Sequence, residues 1–237
     1  GRGRAGGLDM TITSVGNSTM NRVISVLLAD DHALVREALG NWLRAAGDIK
    51  VIGEVGSADE AVAIAVREKP DIVLIDIDMP GLLAFDAVRT IRTRSPNTRV
   101  VVLSGFFHDR YIEDALAAEA SGYITKGEPA DAVVRAVRTV AGGGVYFSPE
   151  VQARIVVDST GARLAAAGTT RASMLTAREL EVLRYIARGL SKKDIAGIMH
   201  LSVKTVDNHS TSLMTKLNIH DRVELARYAI REGLAEP

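Results

Sequence analysis

Two hydrophobic periods alternate along the first part of the chain. Compact apolar runs rich in Val, Ile and Leu fall at residues 23–29, 50–55, 71–76, 99–104 and 122–125. Such runs, bounded by turn residues, predict strands buried on both faces. Between and after them, at 33–46, 58–68, 83–93, 109–120 and 129–141, apolar residues recur at three- and four-residue spacing, the period of a helix with one inward face. Five such strand–helix units predict an α/β domain, a five-stranded parallel, doubly wound sheet with helices on both sides.

Ala141-Gly-Gly-Gly closes this region. Ser148 followed by Pro149 reads as a helix N-cap with proline in the first position, opening a short helix to about residue 158. Residues 159–173 are small and polar and predict a flexible linker. Everything beyond has helical period. Thr176-x-x-Glu179 is a capping box, and Ser191-x-x-Asp194 and Asp221-x-x-Glu224 are near variants. Four helices are expected, at about 176–188, 192–199, 203–217 and 222–232. Ile195, Ala196, Met199, Leu201, Val203, Val206, Leu213 and Leu217 are their candidate buried positions around a helix-turn-helix.

Composition narrows the picture. Of 237 residues, 47% are hydrophobic and 24% charged, which excludes an extended disordered chain. Cys is absent, so disulfide scaffolds, thiol catalysis and thiolate zinc sites drop out. No apolar run approaches the ~18 residues that span a bilayer, and residues 1–21 show no export signal. A cytoplasmic protein without membrane contact is expected. The net charge is zero but unevenly spread: residues 171–237 carry 11 basic and 8 acidic side chains, a net of +3, leaving −3 on the first 170. Two modules with different partners would produce that split.

In an open α/β sheet, chemistry collects at the carboxyl ends of the strands. Asp30 and Asp31 follow the first predicted strand, Asp76 ends the third, Ser104 ends the fourth and Lys126 follows the fifth. Taken singly, an aspartate there is commonly a helix N-cap and a lysine a solvated surface group. Together, carboxylates held close need a divalent cation, and hard oxygen ligands favour Mg2+. A hydroxyl and an ammonium in the same pocket can bind phosphoryl oxygens, with Asp76 as the nucleophile of an aspartyl-phosphate. Nothing has the pattern of a P-loop. A haloacid-dehalogenase-type phosphatase would need its acidic metal pair after Asp76, whereas Asp30-Asp31 precedes it.

Leu28-Ala-Asp-Asp-His32, Val73-Leu-Ile-Asp-Ile-Asp-Met-Pro-Gly81, Val102-Leu-Ser104 and Gly122-Tyr-Ile-Thr-Lys126 resemble the receiver domain of two-component response regulators, which has a flavodoxin-like fold. The resemblance implies that a sensor histidine kinase phosphorylates Asp76. It implies that Asp30, Asp31, Asp76 and the backbone carbonyl of Asp78 hold Mg2+, and that Ser104 and Lys126 clasp the phosphoryl group. Tyr123 matches the aromatic switch that turns inward as Ser104 moves. Leu82-Leu83-Ala84 and Gly127 depart from the usual pattern beside the pocket.

Leu175-Thr-Ala-Arg-Glu-Leu-Glu-Val-Leu183, Gly189-Leu-Ser-Lys-Lys-Asp-Ile-Ala196 and Ser202-Val-Lys-Thr-Val-Asp-Asn-His209 resemble the LuxR-type DNA-binding domain. The whole chain is thus similar to a NarL/FixJ-type transcriptional regulator, a non-enzymatic protein. Residues 202–217 would be its recognition helix in the major groove. Asp207, Asn208 and Thr211 fall where the family touches base edges. Asn208 suits adenine, and Asp207 could accept from cytosine or remain solvated. Lys192, Lys193, Lys204, Thr205, His209 and Lys216 are placed for phosphates. The resemblance implies a homodimer on promoter half-sites, joined through the last helix, and leaves room for RNA polymerase as a further partner.

The expected organisation is a disordered leader (1–21), a receiver (22–145), a linker with a short helix (146–173) and an all-α four-helix DNA-binding domain (174–237). Two modes of action follow. In one, the unphosphorylated receiver covers the recognition helix and phosphorylation opens a dimer. In the other, DNA binding is constitutive and the receiver is only a dimerisation scaffold.

Overall fold

The computed structural model describes residues 22–79, 83–106, 108–158, 161–165 and 171–235. The proposed leader, 1–21, and the Leu82 departure lie outside them. The first five strands are β1 (Ile24–Ala29), β2 (Ile49–Val55), β3 (Ile72–Asp76), β4 (Arg99–Ser104) and β5 (Gly122–Thr125). They alternate with helices α1 (Ala33–Ala45), α2 (Ala58–Glu68), α3 (Ala84–Arg94), α4 (Asp109–Ala117) and α5 (Ala130–Ala141). The sheet is parallel throughout, in the order β2-β1-β3-β4-β5-β6. Its sixth member, β6 (Tyr146–Phe147), corrects the expected count of five. Two residues of strand carry no readable period; Gly122 makes room for this partner, because a Cβ there would stand 2.7 Å from the Tyr146 carbonyl oxygen.

The strands are buried on both faces because successive side chains serve different layers. Val26, Leu28, Leu74, Leu103 and Ile124 pack with Leu39 and Leu43 of α1 and Val133 and Val137 of α5. Leu27, Ala29, Val73, Ile75, Val100 and Val102 face Ala61 and Ala65 of α2, Val88 and Ile91 of α3 and Ile112 of α4. With β3 between β1 and β4, the ends of β1, β3, β4 and β5 open on one rim.

The segment after β6 departs from expectation. Helix α6 stops at Pro149–Gln152, and β7 (Ile155–Asp158) and β8 (Gly161–Leu164) form an antiparallel hairpin in place of further helix and slack linker. Ile155-Val-Val is β-branched and stiff in a helix, and the hairpin lets Leu164 bury among the residues of the second apolar layer.

A 3-10 turn (Arg171–Met174) leads into four helices, α7 (Ala177–Ala187), α8 (Lys192–Met199), α9 (Val203–Leu217) and α10 (Arg222–Arg231). Thr176 and Glu179 close a complete capping box on α7; Ser191 and Asp194 do the same on α8, the shorter carboxylate sufficing. Along α9 the buried positions are Val206, Ser210, Leu213 and Leu217. Val203, expected inside, is 49% exposed at the helix start. Ser210 is the inward residue that sequence reasoning passed over, its hydroxyl satisfied by the Val206 carbonyl at 2.9 Å. His200 ends α8 in the left-handed region, at φ 53°, which costs a side chain with a Cβ about 1 kcal/mol. His200→Gly should therefore raise the unfolding free energy by about 0.5–1 kcal/mol, as read by urea denaturation. Among the described residues no helix is long and apolar enough to cross a membrane.

Candidate functional site

The acidic pocket forms where β1 and β3 end. Asp30 and Asp76 are each 1% exposed. Their placement follows from the parallel register, which aligns Ala29 with Ile75 and so delivers the residues after β1 and at the end of β3 to one rim. Lys126, after β5, sets its ammonium 3.0 Å from Asp76 Oδ2 and 2.9 Å from Asp30 Oδ2. Asp31 joins from the start of the β1–α1 turn. One ligand atom from each of Asp30, Asp31, His32 and Asp76 lies within 4.8 Å of the others.

His32 was not singled out from sequence. Its Nδ1 stands 2.9 Å from Asp31 Oδ1, and an N-cap position gave no hint of a role in the cluster. Asp78 differs from the other carboxylates. Its backbone N–H donates to Asp76 Oδ1 at 3.2 Å, while its side chain turns to Arg184 of α7 and to Arg188 at the C-cap of that helix, at 3.4 and 3.7 Å.

Burial drives the electrostatics. It pushes Asp76 up to about 6, against the pull of the Lys126 ammonium, with Asp30 adding repulsion. Burial likewise raises Asp31, opposed by His32 and assisted by Asp78 and Asp30. Lys126 is held above the ordinary lysine value; burial works the other way but is outweighed by Asp76 and Asp30. Three carboxylates against one ammonium leave a formal deficit of two positive charges. Asp30 Oδ2 and Asp31 Oδ1 are buried oxygens whose partners are the Lys126 ammonium and the His32 ring, each at 2.9 Å. Clustered oxygen donors and a double charge deficit fit a hard divalent cation.

Ser104 is fully buried at the end of β4 and accepts from the Phe106 N–H at 2.8 Å. Tyr123 points inward, and its hydroxyl donates to the Phe106 carbonyl at 2.6 Å. One residue, Phe106, is thus held by both Ser104 and Tyr123.

On the helical domain, Lys204, Asn208 and Thr211 are exposed along one face of α9, with Thr205, Asp207 and His209 half-buried beside them. Among the described residues the receiver does not cover this face, contrary to the expectation of an occluded recognition helix. Contact between the domains runs through α7 and the turn after α10, where the Tyr111 hydroxyl donates to the Leu234 carbonyl at 3.1 Å. Lys193 is exposed. Two of the expected phosphate contacts are engaged elsewhere: Lys192 pairs with Asp207, and Lys216 pairs with Glu179 at 2.7 Å. The Lys192 hydrogen bond holds Asp207 below its ordinary value.

Comparison with known proteins agrees with both halves. Residues 26–138 match the response regulator receiver domain, and residues 173–229 match the bacterial regulatory proteins of the luxR family. The chain is 34% identical over 213 residues to the response regulator protein VraR of Staphylococcus aureus, covering 90% of this chain and 99% of that one. RcsB from Salmonella enterica serovar Typhimurium, solved bound to a promoter with the phosphomimetic BeF3-, superposes with a TM-score of 0.62 at 21% identity, over 87% of this chain and 98% of that chain. A structure of two RcsB dimers bound to two parallel DNAs gives 0.52 at 21% identity, over 86% and 96%. At these identities the structural likeness speaks for the fold. The family consists of DNA-binding transcription factors rather than enzymes. The chain belongs to the two-component response regulators that join a receiver domain to a LuxR-type DNA-binding domain.

Proposed function

We propose that this regulator is switched by phosphorylation of Asp76 from the phosphohistidine of a sensor kinase, and that the phosphorylated chain dimerises on paired promoter half-sites. The observation that carries the reading is Asp76 itself, a buried strand-end carboxylate with an ammonium at 3.0 Å and two further carboxylates beside it. In the transfer, an Asp76 oxygen forms the new bond to phosphorus, the P–N bond to the kinase histidine breaks, and the imidazole leaves. Mg2+ would be held by Asp30, Asp31, Asp76 and the backbone carbonyl of Asp78. When bound, it supplies positive charge that favours ionised Asp76 and offsets the phosphoryl oxygens. Lys126 and Ser104 are set to take those oxygens. A Ser104 hydroxyl drawn to the phosphoryl group must release the Phe106 N–H, which loosens the residue that anchors Tyr123.

The RcsB dimers on DNA support a paired arrangement here, as does the outer face of α10, where Val223 is 59% exposed. A net of +3 on the DNA-binding part also makes a single copy a weak binder, since affinity follows the number of neutralised phosphates. Asn208 and Thr211 are the readers of base edges in this reading, and Lys193 and Lys204 contact phosphates. Asn208→Ala is expected to weaken operator binding about tenfold and to relax discrimination at one base pair, whereas Lys204→Ala should weaken all sequences alike. Competition gel shifts over single-base operator variants check both.

Intact mass after acetyl phosphate and Mg2+, with Asp76→Asn as control, tests the switch. A single phosphoryl addition absent from the variant supports it. The uncovered face of α9 favours the second reading, a constitutive DNA binder with a scaffolding receiver. A folded protein that takes no phosphoryl group would establish that one instead.

A further inference from the structure

Two guanidinium groups of the DNA-binding domain stand over the acidic pocket of the receiver. Arg184 is 6% exposed in the middle of α7. Its Nε lies 3.4 Å from Asp78 Oδ1, its Nη2 is 3.5 Å from the Ile77 carbonyl, and its plane sits 5.6 Å from the Tyr111 ring centre. Arg188, one turn on, reaches the other Asp78 oxygen at 3.7 Å, and its charge is felt by Asp31. Two cations of one domain are thus spent on a carboxylate two residues from the phosphoacceptor of the other.

We propose that Arg184 and Arg188 are the resident counter-cations of the acidic pocket, so that docking of α7 and binding of a divalent cation compete. The proposal rests on the reading of this pocket as a Mg2+ site. Three observations support it. The pocket carries a formal deficit of positive charge even with Lys126 in place. Among the described residues, the ion pairs of the Asp78 side chain are with these two arginines. Arg184 also meets Asp78 by charge rather than by a well-formed hydrogen bond, since its Nε has no hydrogen-bond partner and its Nη2 contact with Ile77 is long. A latch of that kind yields to a competing charge. A dication drawn to the Asp78 carbonyl brings positive charge beside the buried Arg184 guanidinium, where water screens the repulsion poorly, and beside the more exposed Arg188. Coupling of this sort is reciprocal: if Mg2+ weakens docking, docking weakens Mg2+ by the same factor, and DNA that selects the undocked chain strengthens it.

Isothermal titration of Mg2+ into the full chain tests this, beside small-angle scattering of the same samples. Arg188→Ala together with Arg184→Met should tighten Mg2+ binding about five- to tenfold, a coupling of ordinary size, with Arg188→Ala alone intermediate and Arg188→Lys near wild type. Mg2+ should also enlarge the scattering radius of the wild type but not of the double variant. Arg188 is partly exposed, so its single variant serves if the double one misfolds. Equal Mg2+ affinity in wild type and folded variants overturns the competition and leaves the metal site standing. Absence of Mg2+ binding in every protein overturns the metal reading, and this inference with it.

Discussion

Asp76→Asn protein freed of divalent cations is expected to be more stable than wild type by about 2–3 kcal/mol at about pH 7.5, and to lose that advantage by about pH 4. Burial has raised the Asp76 carboxyl to about 6 in the folded chain. A group whose folded pKa lies above its unfolded value contributes stability below the unfolded pKa. That contribution is lost as pH rises through the folded one, so the wild type carries the full penalty of an ionised, desolvated carboxylate above about pH 6. Asparagine is never ionised and carries none of it. The gain is less than the whole shift because Lys126 loses one anionic partner, although it keeps Asp30 at 2.9 Å. Melting curves at the two pH values check the sign, and added Mg2+ should narrow the gap by binding the wild type more tightly. The functional arm is larger. Under a phosphodonor the wild type should gain at least about tenfold in DNA affinity, within the ordinary range of coupling, and Asp76→Asn should gain nothing. Equal gains in the two proteins would sink the role given to Asp76.

Glu179→Ala should destabilise the helical domain by about 2–3 kcal/mol, through loss of a cap and of a buried charged hydrogen-bond network. One carboxylate performs three tasks. It accepts from the Thr176 N–H at 2.7 Å, closing the start of α7, and it takes Ser212 Oγ at 2.6 Å and Lys216 Nζ at 2.7 Å from α9. Burial pushes this group up, but Lys216, Ser212 and Thr176 outweigh it and hold the carboxyl at about 2. A depressed carboxylate stabilises above its unfolded pKa and loses that contribution as pH falls through the folded one. The difference between wild type and variant should therefore shrink below about pH 4.5. Urea unfolding at neutral and acid pH reads it, and a neutral-pH loss below about 1 kcal/mol would mean that Lys216 simply rehydrates. Because the network positions α9, DNA affinity should fall in step with stability.

The pocket was legible because its chemistry is local to strand ends. Asp30, Asp31, Asp76, Ser104 and Lys126 each follow a hydrophobic run, and a parallel sheet delivers all such ends to one rim. The hairpin was not. Ile155-Val-Val-Asp158 lies just behind a proline-started helix, and the local signal for helix outweighed a β-branched run only three residues long. The tertiary partners of side chains were illegible in the same manner. Lys192 and Lys216 read as free cations on a helix, yet Asp207 and Glu179 that bind them sit on other elements. Arg184 occupies a position that helical period marks only as inward; nothing in its neighbourhood in sequence reveals that the carboxylate it faces is Asp78.

The apolar layer on the α2–α3–α4 side of the sheet continues without a break through Tyr111 and Leu175 into Leu180, Leu213 and Leu225 of the helical domain. Each domain therefore borrows part of its interior from the other while they are docked. Such a chain unfolds as one cooperative block, with the sharp transition of its full length; undocking divides it into two smaller blocks whose transitions are broader, since the enthalpy of melting scales with the number of residues that melt together. Under the proposed switch, undocking would change how the molecule melts as well as what it binds, leaving it less of a single body.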